Sequence, residues 1–149
     1  MRLKVIQFLT LVLYTLALVS AGAHFFALPN KIDLAQQTYF IVQRIYRGWA
    51  LFGFVLFPAL AASLVLTVML RRERAAFWLA LAAFLCLAAG LAIFFHWTFP
   101  ANQATDNWTT VPADWQALRR QWEYSHAANA ILTFVGLCCA ILSTLVARR

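Results

Sequence analysis

Apolar residues run in long blocks along this chain, separated by short polar stretches. Four blocks reach the roughly 20 apolar residues that a membrane helix needs: 5–28, 49–70, 75–99 and 126–147. The pattern predicts an all-α integral membrane four-helix bundle, a single four-span domain over 1–149. An additional outer interfacial helix is expected between the first two spans. Pro29 is expected to stop span one, and Asp33 to cap the helix that follows. Leu34, Thr38, Ile41, Ile45 and Trp49 then recur at helical spacing, and Tyr39, Tyr46 and Trp49 suit a headgroup region. Pro58 is expected to kink span two. Residues 99–121 hold Pro100, Asn102, Asp106, Pro112 and Asp114 and read as a loop, with a short helix from about Asp114 leading into span four.

Composition sharpens the class. The chain is 64% hydrophobic and 11% charged, against about 45–50% and about 25% in soluble domains. That excludes an ordinary soluble domain and a disordered chain. The net charge of +7 would suggest nucleic acid in a soluble protein. Here the charges flank the apolar blocks, so they act as topology signals, and no nucleic-acid partner is expected. Arg2, Lys4, Arg71, Arg72, Arg74, Arg148 and Arg149 fall on one side, seven in all, against Lys31, Arg44, Arg47, Arg119 and Arg120 on the other. The first group sits at the span ends, and the second lies in longer loops beside Asp33, Asp106, Asp114 and Glu123. Both termini and the 71–74 turn are therefore placed in the cytoplasm. Short loops and Ala, Leu and Arg usage suit a bacterial inner membrane. Arg2, Lys4, the apolar run and Ala21-Gly22-Ala23 share the layout of a cleavable signal peptide, which would free His24 as an N-terminus. The run continues through Leu28 to span length, so 5–28 is read as a retained span.

The chain has three histidines. His24, His96 and His126 fall at one depth, at the outer ends of three different spans. Stripes of small or polar residues continue each one along its helix. They are Thr10, Leu13, Ala17, Ser20 and His24; Ala82, Cys86, Ala89, Ile93 and His96; and His126, Asn129, Thr133, Gly136, Ala140 and Ser143. Membrane helices pack through such faces, so each histidine is expected to point into the bundle. Glu123 lies one turn before His126. His126, Glu123, His96 and His24 are thus the candidate catalytic groups. By itself each histidine equally suits an interface, hydrogen-bonded to loops and water.

The cofactor stays open between a single metal ion, haem and none. His24, His96 and His126, with Glu123, are the candidate metal ligands. A carboxylate-bridged di-iron site is excluded, because it needs four glutamates and the chain has two. Cys86, Cys138 and Cys139 read as small packing residues. Asn107-Trp108-Thr109 fits a glycosylation sequon. Trp97, Trp108, Trp115 and Trp122 form either an aromatic belt or a stacking wall for a planar ligand. There is no Walker motif, no Ser-His-Asp spacing and no zinc-protease helix.

The run Phe95-His96-Trp97-Thr98-Phe99-Pro100-Ala101-Asn102, then Trp115, then Trp122-Glu123-Tyr124-Ser125-His126, resembles a family of small four-span bacterial and fungal membrane proteins grouped with the anthrone oxygenases. By that resemblance Asn102, Trp115 and His126 match the family's loop Asn, Trp and helix-start His. Members often carry Arg three residues further on, where this chain has Asn129. The resemblance implies oxidation of polycyclic phenolic substrates without an obvious cofactor motif, with Asn102, Trp115, Trp97 and Asn129 on the substrate side.

Two function classes remain. One is an oxygenase-like membrane enzyme whose apolar aromatic ligand enters from the lipid bilayer. The other is a non-enzymatic haem- or metal-binding or accessory subunit of a membrane complex, whose protein partners the residues do not identify. Transport fits worst, because the spans offer chiefly Ser63, Thr133 and cysteines at mid-depth.

Overall fold

The computed structural model describes residues 1–147, the side chain of Ala50 excepted. Arg148 and Arg149, counted above toward orientation, lie outside the described residues. Every regular element among the described residues is helical, in the order α1 (Arg2–Lys31), α2 (Gln36–Gln43), α3 (Gly53–Met69), α4 (Arg74–Ile93), α5 (Phe99–Ala104) and α6 (Trp115–Val146). Two 3-10 turns, Arg44–Tyr46 and Trp49–Phe52, lie between α2 and α3, and a π-helical turn, Phe94–Thr98, runs α4 into α5.

The stretches Arg2–Lys31, Arg74–Ala104 and Trp115–Val146 are long and apolar enough to cross a membrane. They mark the chain as an integral membrane protein. The apolar α3 has 17 residues, about 25 Å at 1.5 Å per residue, a few ångströms short of a hydrocarbon core of about 30 Å. The block 49–70 loses its front to a backbone turn at Gly48, whose φ of 86° suits a residue without a Cβ. α6 lies against α1 and α4, and α3 lies against the same two helices.

Several element ends differ from the sequence reading. Pro29 sits inside α1, which continues to Lys31, and the Ile32 N–H bonds back to the Leu28 carbonyl at 3.0 Å. A proline near a helix end forfeits a single backbone bond, too little to stop the chain there. Asp33 consequently falls in the turn, and Ala35 precedes α2. Residues 99–104 are helical rather than loop. Pro100 stands in the first turn of α5, where a missing N–H is tolerated. Asp114 does precede α6, but this is one helix of 32 residues, so His126 lies about three turns inside it.

The inward faces of α1 and α6 match the sequence stripes. Thr10, Ala17 and His24 are buried on α1, and Thr133, Gly136, Ala140 and Ser143 on α6. On α4 the buried face is Ala76, Ala80, Ala83 and Leu87, one residue round from the predicted stripe, while Ala89 and His96 are exposed. α4 offers small residues on more than one side, so its own sequence leaves the choice open. Its neighbours decide it: the fully buried Tyr14 hydroxyl donates to the Ala83 carbonyl. Tyr14, Ala59, Ala83, Leu87 and Ala140 form the mid-bundle core. A Cβ at Gly136 would stand 2.7 Å from the Tyr14 hydroxyl and 3.0 Å from the Cys86 Cβ, so only glycine allows this approach.

Candidate functional site

The site forms where the last turns of α1 meet the first turns of α6 beneath α2. His24 and Lys31 are seven residues apart on α1, two turns on one face. Arg119, Trp122, Glu123 and His126 follow a 3/4 rhythm on α6. Tyr39 and Gln43 stand at i and i+4 on α2, and Tyr46 follows in the adjoining 3-10 turn. These three elements bring every member together.

Two polar groups share this end. In the first, Lys31 Nζ lies 2.9 Å from Glu123 Oε1, with both side chains almost wholly buried. The Tyr39 hydroxyl donates to the same oxygen at 2.9 Å. Gln43 Nε2 donates to the Tyr39 oxygen at 2.9 Å, and Lys31 Nζ donates to Gln43 Oε1 at 3.4 Å. Glu123 Oε2 is buried and has no hydrogen-bond partner. In the second group, the His24 and His126 rings stack with centroids 4.0 Å apart and 24° between planes. Trp122 meets His126 at 4.2 Å and His24 at 5.0 Å, and Tyr46 covers His24 at 4.2 Å. Tyr46 and Trp122 join the groups, since the Lys31 ammonium also faces their rings at 4.5 and 4.9 Å. Such cation–π contacts gain strength when desolvated.

The surroundings lock these side chains. Trp122 Nε1 donates to Asn102 Oδ1 at 2.8 Å. Arg119 donates to the Leu34 carbonyl at 2.7 Å and stacks over Trp115 at 4.7 Å, pinning the α1–α2 turn to α6. Thr98 and Ser125 share a buried hydroxyl–hydroxyl bond of 2.7 Å. Trp108 is delivered by a left-handed run, with φ of 45° at Asp106, 53° at Asn107 and 65° at Trp108. That conformation is uncommon for a bulky side chain. The Trp108 N–H bonds to Thr105 Oγ1 at 3.1 Å, and its ring packs edge-on against Tyr39 at 5.2 Å. Asn107, the sequon residue, is exposed.

The phenols outside the membrane helices stay protonated. Burial first, then the neighbouring Glu123 carboxylate, push the Tyr39 hydroxyl far above the ordinary phenol range. The same two causes push Tyr46 up to about 12. Tyr39 therefore acts as a hydrogen-bond donor to Glu123.

Of the residues singled out by sequence, His24, Glu123 and His126 come together, Asn102 holds Trp122, and Trp115 borders the cluster through Arg119. Asn129 lies one turn further along α6 against α4, its Oδ1 buried and without a partner; a Cβ at Gly90 would meet that oxygen at 2.8 Å. His96 and Trp97 stand apart. Both are exposed, and they pack on each other at 4.4 Å. The expected convergence of three histidines is thus reduced to two. The cause is the rotated inward face of α4, followed by the π-helical turn that carries His96.

Lys31, Tyr39, Gln43, Tyr46 and Arg119 were not among the expected site residues, and Tyr39 and Tyr46 were assigned to the headgroup region. The signals were there: Lys31 continues the His24 face by two turns, and Tyr39 and Gln43 share a face. Lys31 and Arg119 are counted as topology charges in a sequence reading because a charge near a span end ordinarily faces water.

No family model, curated protein or solved structure matches the chain, and the site is read from its own geometry. Among the described residues no three His, Cys, Asp or Glu side chains are grouped to hold a metal ion. His24, His96 and His126 therefore do not fit as a metal triad. Nor does the stacked pair fit a bis-histidine haem, whose axial imidazoles approach the iron from opposite faces and cannot lie on one another. What the arrangement offers is an ion pair with one free carboxylate oxygen, beside a platform of stacked rings.

Proposed function

We propose that the protein is a four-span membrane protein of the bacterial inner membrane, with both termini cytoplasmic and the His24–Glu123–His126 cluster at the outer face. In this reading α3 and its leading 3-10 turn supply the fourth span. The cluster binds an apolar, planar aromatic molecule that enters from the bilayer. A histidine or Glu123 removes a proton from a phenol or an acidic C–H, in oxygenase-like chemistry of the kind the anthrone-oxygenase resemblance implies.

The observation that carries this reading is the buried Lys31–Glu123 pair beside the stacked histidines. Ionisable groups held inside a membrane protein are costly and as a rule serve function. The wall of Tyr46, Trp122 and Trp49 supports an aromatic ligand, because flat rings recognise flat rings. Asn102 and Trp115 contribute by holding Trp122 and Arg119 rather than by lining an open surface.

The test is oxygen uptake by the purified protein in lipid nanodiscs, presented with a panel of polycyclic phenols. Turnover is expected in the native chain, and His126→Ala is expected to abolish it while still inserting into membranes. His96→Ala, altering an exposed side chain outside the cluster, is the control and should turn over normally. Undiminished turnover in His126→Ala would sink the reading.

A further inference from the structure

Lys31, Gln43, Tyr39 and Glu123 close a ring in which every hydrogen bond has a fixed direction. Lys31 donates to Gln43, Gln43 to Tyr39, and Tyr39 to Glu123. Lys31 also meets Glu123 Oε1 directly. Both interactions at the carboxylate thus fall on Oε1, and Oε2 receives none. Glu123 is 1% exposed, so bulk water does not reach it. A carboxylate oxygen buried without a donor is costly. Gln43 fixes the direction of the Tyr39 hydroxyl toward Oε1, and Oε2 is left as an acceptor without a donor.

Charge decides what such an oxygen can do. In a low-dielectric site, a step that creates or destroys net charge is opposed by desolvation. Moving a proton from a neutral ligand to Glu123 creates none. Before the step the site holds a lysine cation, a carboxylate and a neutral ligand. Afterwards it holds the same cation, a neutral carboxylic acid and a ligand anion.

We propose that Glu123 Oε2 is the proton-accepting atom of the site, that Lys31 is the positioning residue that keeps its net charge constant, and that the ligand class is a neutral molecule with one dissociable proton. The proposal rests on the reading of the cluster as one that removes a proton from a bound small molecule. The ligand's bond to hydrogen breaks, and its electron pair stays on the ligand. An O–H bond forms on Oε2, and the Lys31 ammonium exchanges a carboxylate partner for the ligand anion without itself losing a proton. Tyr39 keeps its own proton and holds Oε1 in place throughout. His24 and His126 serve as the flat surface against which the ligand lies.

The probe is 4-nitrophenol, whose anion absorbs in the visible and whose neutral form does not. In nanodiscs carrying the full chain, bound probe is expected to ionise at a lower pH than free probe. In the native chain each bound anion is expected to be matched by one newly protonated Glu123 carboxyl, read as an infrared carbonyl stretch, with no proton released to a weakly buffered medium. In Glu123→Gln, where the unpaired Lys31 charge favours the anion, each anion formed releases one proton and shows no such stretch. Release of a proton by the native chain as the bound anion forms overturns the assignment while leaving the aromatic site intact. If the probe does not bind at all, the reading of the cluster as a ligand site fails instead. Infrared spectra then judge the ring by itself. A Glu123 carboxylate band is expected in the native chain, replaced in Lys31→Met by the carbonyl stretch of a protonated acid. An unchanged carboxylate band in Lys31→Met, or a native chain already showing the protonated acid, overturns the role given to Lys31.

Discussion

Midway along the bundle the helices meet through small side chains: Ala17, Ala59, Ala83, Gly136 and Ala140 bring α1, α3, α4 and α6 together around Tyr14. At the Lys31 end the same α1 and α6 are bridged instead by rings, an ion pair and a directional set of hydrogen bonds. The middle uses the packing that lipid-embedded helices favour, where close approach replaces a hydrophobic driving force. The Lys31 end buries groups that close packing alone does not require. Function is therefore sought at the end, and the middle is read as scaffold.

The contrast can be broken at several strengths. Removing one partner of the ion pair has the largest effect. Lys31→Met or Glu123→Leu alone is expected to lower stability by about 3–5 kcal/mol, because each leaves a buried group that must stay charged without a partner or be neutralised by a change of protonation. The double substitution should recover much of that loss, and thermal unfolding of all four proteins in one detergent checks it. In the middle, Gly136→Ala is expected to cost about 1–3 kcal/mol through overpacking. Tyr14→Phe in the same chain should relieve only part of it, since the hydroxyl at 2.7 Å is the nearest of three close atoms and the Tyr14 Cε1 at 2.9 Å and Cys86 Cβ at 3.0 Å remain. Equal losses with and without the tyrosine hydroxyl would refute the packing argument.

The smallest effect is a pH dependence at the Lys31 end. Tyr46 is raised from 10.0 to about 12, by burial first and the Glu123 carboxylate second. A raised pKa means that the folded state favours the protonated phenol. Its contribution is fully present below pH 10 and is lost as pH rises through about 12. Tyr46→Phe should flatten that part of the melting temperature against pH.

The long helices were legible in the sequence because 20-residue apolar blocks have few other uses, and the faces of α1 and α6 were legible from their stripes of small residues. The α4 face was not, because alanines and other small residues occur on several of its sides and the choice falls to Tyr14 on another helix. His24, Glu123 and His126 were found because depth and one-turn spacing are readable along a chain. Lys31, Tyr39 and Gln43 were missed because their role arises from a contact across 84 residues, between Tyr39 and Glu123. Neither local spacing nor charge counting reports a contact of that range. His96 failed for the opposite reason. One π-helical turn alters the direction of every side chain it carries, and His96 lies in it.

The same separation has a consequence for biosynthesis. Tyr39 is made well before the glutamate it will bind, and at about 5–20 residues per second those 84 residues represent several seconds of translation. For that interval the young chain carries Lys31 near a membrane helix while Glu123, the carboxylate it pairs with, is not yet synthesised. Arrival of α6 is therefore the event that completes the ring. A ribosome stalled before Glu123 should hold a protein whose first helices are already made while its Lys31 end is still open.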